Sequence, residues 1–450
     1  MKIDRYQAYK DSEVEWLGDV PEHWNCELIK RSLQVLTDYT ANGSFASLAE
    51  NVTYQESGYA RLVRLTDLRH DLTNDGLYVD KNAYNFLSKT KINGGEILIA
   101  NVGAYTGLVK LVPKINFKAT LGPNMFLAVF NNKLFKRFIT YHLGSIGCFE
   151  QFRVQMTATA QPKLNKDNFR SISIVIPPLS EQKANAHYLD TKTAQIDRKI
   201  DLLTQKATQY GNLKQSLINE AVTRGLDRSV VMKDSRIEWL GEVPKHWEIK
   251  HFKQFSTMKG RIGWQGLKHS EFIDEGPFLI TGMNFKGGKI NWNEVYHITN
   301  ERYEQAPEIQ LKTNDILMTK DGTIGKLLYV DNIPAPHTAS LNSHLLVFRP
   351  IQKSYHPRYL YYQLDSSAFQ DYVEVAKAGT TFFGISQAAV GRYIGILPPL
   401  SEQKAIADYL DTKTTQIDQI IRTINTQIEK LKELRKPLIN DVVTGKIKVA

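Results

Sequence analysis

Polar and basic side chains interleaved with aromatics gather in a few glycine-punctuated stretches of this chain. RLVRLTDLRH (61–70) offers Arg61 and Arg64, and NVGAYTG (101–107) offers Asn101, Tyr105 and Thr106. TATAQPKLNK (157–166) adds Thr157, Thr159, Gln161 and Lys163. A second set follows in MKGRIGWQGLK (258–268), with Lys259, Arg261, Trp264 and Lys268. KDGTIGK (320–326) brings Lys320, Thr323 and Lys326, and AGTTFFGISQ (378–387) brings Thr380, Thr381 and Gln387. Guanidinium and ammonium groups match guanine edges and phosphates, and amides match adenine, so the chemistry on offer is nucleic-acid contact rather than bond-breaking. For each residue taken alone, phosphate contact or plain solvated surface is the simpler reading.

Covalent chemistry finds no constellation. There is no amino-methyltransferase [DNS]PP[FYW] tetrapeptide, GxGxxG, Walker loop or HExxH. KDGTIGK lacks the GxxxxGK[ST] spacing of a phosphate loop. The E-x-K pairs Glu181–Lys183 and Glu402–Lys404 imitate a nuclease signature, but they fall at helix starts with no acidic strand residue before them. His23 and His246 have no clustered ligands, and Cys26 with Cys148 makes neither a disulfide framework nor a four-ligand zinc site. The chain is expected to be non-catalytic and to hold no cofactor or metal of its own.

The elements that position the loops repeat themselves. WLGDVPEHW (16–24) returns as WLGEVPKHW (239–247). PPLSEQKANAHYLDTKTAQIDRKI (177–200) returns as PPLSEQKAIADYLDTKTTQIDQII (398–421), identical at 19 of 24 positions. LINEAVT (217–223) matches LINDVVT (438–444). A period of about 220 residues is far too long for a solenoid and marks duplication of a large unit. The inserts between, 25–176 and 248–397, have diverged; EILIANVG (96–103) echoes DILMTKDG (315–322), and FLAVF (126–130) echoes HLLVF (344–348). One frame kept twice implies one mechanical job done twice, and two unlike inserts imply two targets.

Both frames carry a long helix. Ser180 and Ser401 read as N-caps behind a Pro-Pro pair, Glu181 and Glu402 suit the first turn, and Leu179 with Ala184 is spaced as a hydrophobic staple. A seven-residue period follows: Leu189, Ile196, Leu203, Tyr210 and Leu217, then Leu410, Ile417, Ile424, Leu431 and Leu438. Such a period marks a coiled-coil seam, and two matching seams in one chain are best covered by each other, antiparallel; the alternative lays each helix on its own insert. At 1.5 Å per residue the helices would reach about 65 Å. Trp16, Trp24, Trp239 and Trp247 read as packing the frame on the helix ends, with partner docking as the alternative. The frame pattern closes if the chain ends meet, which makes the expected molecule pseudo-circular and pseudo-two-fold. The inserts read as strand-rich, with Ile172, Ile174 and Ile176 alternating with polar residues. The expected fold is therefore α+β: two mixed α/β domains joined by two long antiparallel helices. Its segments are a frame segment 1–24, an insert 25–176, a helix with linker 177–233, a frame segment with the second insert 234–397, and a C-terminal helix 398–450.

Composition agrees. The 450 residues are 42% hydrophobic and 23% charged, which is ordinary globular usage and excludes disorder. The first residues lack the apolar stretch of a secretory signal, and no run approaches a membrane span, so a soluble cytoplasmic protein is expected. The net charge of +10 favours a polyanionic partner.

The doubled WLGxVPxHW and PPLSEQKxxAxYLDTKTxQID motifs, with long helices and variable inserts, resemble the specificity subunit of Type I restriction–modification systems. The resemblance covers essentially the whole chain. It implies two target-recognition domains, each reading half of an asymmetric, bipartite double-stranded DNA site, with the helices setting the gap. It also implies docking of two methyltransferase (modification) subunits that use S-adenosylmethionine, and association with restriction/translocase subunits that use ATP and magnesium. No membrane partner is expected. The rival reading is a structural adaptor whose inserts bind protein.

Overall fold

The computed structural model describes residues 4–449 apart from 71, 157–160, 262–265 and 378–383. They fall into two compact units, Met1–Leu203 with Thr426–Ala450, and Thr204–Asn425. The long helices run Leu179–Arg224 and Leu400–Val443, so each unit takes half of each helix instead of leaving the helices as separate segments.

In the first unit the insert closes on itself, because its first strand, Asn25–Leu28, pairs antiparallel with its last, Ser173–Ile176. Inside, one four-stranded sheet has the order Leu33–Asp38, Met125–Phe130, Ile97–Ala100, Val109–Leu111. A second sheet includes a parallel pair, Ala60–Val63 with Ala119–Leu121. Continuous apolar runs such as Ile97–Ala100 are buried along their length, as a strand covered on both faces requires. Phe126, Phe152 and Phe169 pack in the main core, with rings about 6.0 Å apart.

The second unit repeats the plan from a different sequence. Glu248–His251 pairs with Ile394–Leu397. A four-stranded sheet runs Ser256–Lys259, Leu345–Pro350, Ile316–Thr319, Leu327–Tyr329, and Ile273–Ile280 pairs parallel with Ala339–Leu341. The strand echo is real but slipped. Met125 faces Ala100 and Leu345 faces Thr319, so Met125 corresponds to Leu345 and the apparent FLAVF–HLLVF alignment is off by two residues. A two-residue slip keeps every side chain on its own face, which is why the hydrophobic pattern could not reveal it.

The helix seams are antiparallel within each unit. Asp197 meets Arg435 at 3.0 Å in the first, and Lys214 meets Asp418 at 2.8 Å in the second. A shift of 221 residues turns one pair into the other. Ile417, Ile424 and Ile428 are buried, while Ile196, Leu203, Leu217, Leu431 and Leu438 are half-buried. The two expected arrangements coexist. Leu189 packs with Val442 of the opposite helix and with Phe138 of the insert, and Leu410 packs with Ala221 and with Tyr359 and Tyr362.

The expected cap and staple are not formed. The Gln182 and Gln403 N–H groups donate to the Pro178 and Pro399 carbonyls, so those prolines open the helices and the serines lie in the first turn. Leu179 and Leu400 stay exposed. The ends of the chain do meet: the Lys448 N–H donates to the Asp4 carbonyl at 2.8 Å, and the Tyr9 hydroxyl to the Gly445 carbonyl at 3.0 Å. Gly445 has φ +76° beside Pro21 and Trp24, and Gly225 has φ +76° beside Trp247, so the first unit rebuilds with two chain ends the joint that the second makes with continuous chain.

Candidate nucleic-acid interface

Each insert is bolted to the frame by the same residues. Glu181 accepts from the buried Trp24 indole at 3.0 Å and lies 2.7 Å from the His23 ring; Glu402 does the same with Trp247 and His246 at the same distances. The E-x-K glutamates are therefore joint residues, not merely first-turn anions. Burial alone would raise the Glu181 carboxyl, but bonds from Tyr6, His23 and Trp24 hold it below the usual range. Gln182 accepts from the Phe135 N–H at 2.7 Å, and Gln403 from the His356 N–H at 2.7 Å. Asp190 takes the Arg137 guanidinium and the Tyr141 hydroxyl, as Asp411 takes Arg358 and Tyr362. From the opposite helix, Asn440 accepts from the Gly147 N–H at 3.0 Å and Asn219 from the Ser367 N–H at 2.9 Å. These partners were legible only as an R-x-x-x-Y shared by KRFITYHL (136–143) and PRYLYYQL (357–364).

On this mount, loops far apart in sequence come together. In the first unit strand Ile97–Ala100 delivers Asn101, whose N–H donates to the Asn124 carbonyl at 3.1 Å and whose carbonyl accepts from Leu164 at 2.9 Å. Val102 pairs with Lys163, and the Thr106 hydroxyl bonds the Gly103 and Pro162 carbonyls at 2.7 and 3.0 Å. The predicted stretches 101–107 and 161–166 thus form one surface. A cleft of about 770 Å³ opens there, lined by Tyr39, Phe45, Tyr54, Asn101, Asn124, Gln161 and Lys163 among others. Phe45, Tyr105, Gln161 and Lys163 are exposed, whereas Asn101 and Thr106 are buried. Thr157 and Thr159 lie outside the described residues.

The second unit does the same. The Lys320 N–H donates to the His344 carbonyl at 2.9 Å, its carbonyl accepts from Ile385 at 2.8 Å, and Asp321 pairs with Gly384. Thr323, Lys326 and Gln387 are exposed; Lys326 donates its ammonium to the Phe285 carbonyl at 2.8 Å, and Gln387 opens helix Gln387–Arg392 behind the Ser386 cap. Lys259 is exposed on an edge strand and Lys268 is exposed just before the turn His269–Glu271. Trp264, Thr380 and Thr381 lie outside the described residues.

Three expected contacts are withdrawn: Thr106, 5% exposed with its hydroxyl spent on the Gly103 and Pro162 carbonyls, and two arginines. Arg61 is only 5% exposed, and its guanidinium donates to the Leu72 and Asn74 carbonyls at 2.7 and 2.9 Å. Arg261 is 4% exposed and donates to the Leu341 carbonyl and the Ser340 hydroxyl at 3.0 and 3.1 Å. Both brace their own fold, and burial pulls the Arg261 guanidinium below its ordinary pKa. Arg64 remains at the surface but is held by Asp67 at 3.2 Å. Asp67, which burial would raise, is kept below the usual carboxylate range by Arg64 and Asn74. Among the described residues no group of three or more His, Cys, Asp or Glu side chains could hold a metal ion.

A duplicated frame bearing two unlike, polar-loop heads defines a two-headed recognition protein. The chain matches the Type I restriction modification DNA specificity domain over residues 12–209 and 244–430 and belongs to that family. It is 25% identical over 458 residues to the Type I restriction enzyme MjaVIII specificity subunit of Methanocaldococcus jannaschii, covering 98% of each chain. It is 21% identical over 438 residues to the Type I restriction enzyme EcoKI specificity subunit of Escherichia coli K12, covering 96% of this chain and 90% of that one. Its fold resembles the HsdS subunit of Thermoanaerobacter tengcongensis, with a TM-score of 0.54 and 16% identity over 95% of this chain and 98% of that one. It also resembles a chain from work on complex assembly and conformational transition of the type I R-M system, with a TM-score of 0.69 and 15% identity over 94% and 98%. No described helix is long and apolar enough to cross a membrane.

Proposed function

We propose that each insert reads one half of an asymmetric, bipartite DNA site and that the helix pair sets the gap between the halves. The observation that carries this is the contrast between joints whose Glu, Gln, Asp, Trp and His contacts recur in both units and loops that differ at nearly every residue. Candidate contacts in the first insert are Arg64, Asn101, Tyr105, Gln161 and Lys163. In the second they are Lys259, Lys268, Lys320, Thr323, Lys326 and Gln387. Two such readers add their half-site energies, at roughly 1–3 kcal/mol per correct base pair. The chain contributes no catalytic group. Adenine methylation, with S-adenosylmethionine, belongs to methyltransferase subunits docked on the frame, and ATP-driven cleavage to restriction subunits, all in the cytoplasm.

The test lengthens the helices. One heptad is inserted between 203 and 217 and another at the matching place, 424–438, and the methylated motif is mapped in cells carrying the partner subunit. Seven residues add about 10 Å, on the order of three base pairs of duplex. Both half-sites should persist with a wider gap. An unchanged gap would contradict the ruler.

A further inference from the structure

We propose that Asn101 and Lys320 occupy the same reading position in the two inserts, and that their difference sets one base of each half-site: adenine for Asn101, guanine for Lys320. This rests on the DNA-reading function proposed above and deepens it.

The two positions are equivalent by backbone, not by sequence. Each follows the last residue of a matching strand, Ala100 facing Met125 and Thr319 facing Leu345. Each donates its N–H to a turn carbonyl, Asn124 at 3.1 Å and His344 at 2.9 Å. Each accepts at its carbonyl from the eighth residue of a ten-residue predicted loop, Leu164 of 157–166 at 2.9 Å and Ile385 of 378–387 at 2.8 Å. The neighbours Val102 and Asp321 make matching bridges to Lys163 and Gly384. Two frames that hold the main chain this alike present one side chain to the same place on each half-site.

Both side chains are also unspent. Asn101 is 8% exposed, yet its Oδ1 is buried without a hydrogen-bond partner among the described residues. A buried acceptor left open costs stability unless something supplies a donor. Asn101 lines the cleft with Tyr39, Tyr54, Gln161 and Lys163. The exocyclic amine of adenine supplies the donor that Oδ1 lacks, while ring N7 takes the amide N–H. Lys320 is half-buried, and its ammonium makes no hydrogen bond or ion pair with another described residue. The nearby carboxylate, Asp321, is engaged instead with His344 at 3.2 Å. An ammonium on a four-carbon stem suits the paired acceptors O6 and N7 of guanine.

The experiment uses the full chain assembled with its methyltransferase partner, acting on duplexes with both half-sites randomised. Methylated molecules are sequenced. K320Q should lose preference for guanine at one position of one half-site by roughly tenfold or more, leaving the other half-site and the gap as they were. N101A should relax an adenine in the other half-site to a similar degree. If N101A fails to fold, K320Q, at a more open position, still decides the matter. An unchanged motif with K320Q overturns the assignment. So does an equal loss across all sequences, which would place Lys320 on phosphate. A wild-type complex that methylates no bipartite motif sinks the wider reading instead.

Discussion

The joint and the proposed reading surface of this molecule obey opposite rules. At the joint, Glu181, Gln182 and Asp190 are matched by Glu402, Gln403 and Asp411 in type and partner position, with distances within 0.1 Å, and Asp197 is matched by Asp418 in type, with Arg435 facing one and Lys214 the other. At the reading surface the backbone is repeated but the side chains are not: Asn101 stands where Lys320 does, Asn124 where His344 does. By strand register the buried Tyr39 matches the buried Arg261. The difference teaches that the duplication keeps the parts that hold and frees the parts proposed to touch DNA.

That comparison breaks most easily at the buried indoles. Trp24→Ala and Trp247→Ala each empty a fully buried site and should cost about 3–5 kcal/mol. Because the joints are alike, the two losses should be similar, and each should appear in hydrogen exchange mainly in its own unit. Very unequal losses would show that the joints only look alike.

The next effect is a deliberate asymmetry. His142 is fully buried in the first unit and replaced by Gln363 in the second; burial pulls its imidazole down to about 4. The unfolded chain gains this proton first, so the first unit loses stability as pH falls from about 6.5 towards 4. Asp365 stands in the second unit where the first has Gly144, and burial raises its carboxyl to about 6, Lys214 opposing. Its raised value means the second unit is relieved on acidification: the penalty is full above pH 6 and gone by about pH 4. Each effect is on the order of 2 kcal/mol. Exchange rates measured from pH 7.5 to 4.5 should therefore rise in the first unit and fall in the second from these groups. H142Q and D365N should each remove their own slope.

A smaller test concerns the glutamates of the joint. Glu402→Gln keeps the shape but removes the charge that accepts from Trp247 and faces His246, and about 1 kcal/mol should go with it by urea titration. Smallest is the seam. Lys214 and Asp418 are 29% and 45% exposed, so their pair is worth roughly 0.2–1 kcal/mol. Lys214→Asp should lower the melting temperature slightly, and adding Asp418→Lys should restore it.

Much of the frame could be read directly. Nineteen identities in 24 and a strict heptad pointed to paired helices, because both signals are local and periodic. The reading surface was legible as a set of loops but not as a place. That Thr106 is tied to Pro162, 56 residues on, is a tertiary fact with no periodic trace. Arg61 and Arg261 misled for a related reason. A guanidinium braced on backbone carbonyls looks, in sequence, like one waiting for a phosphate. Glu181 and Glu402 were placed at helix starts correctly, but their indole and imidazole partners lie more than 150 residues away.

One chimera tests the central claim most directly. Residues 25–176 are replaced by a second copy of 248–397, and the methylated motif is mapped in cells carrying the partner methyltransferase. Like mounts with like heads should give a motif whose two halves are copies of one sequence, at the original spacing. A motif that keeps the original first half, or one whose spacing changes with the head, would contradict the account.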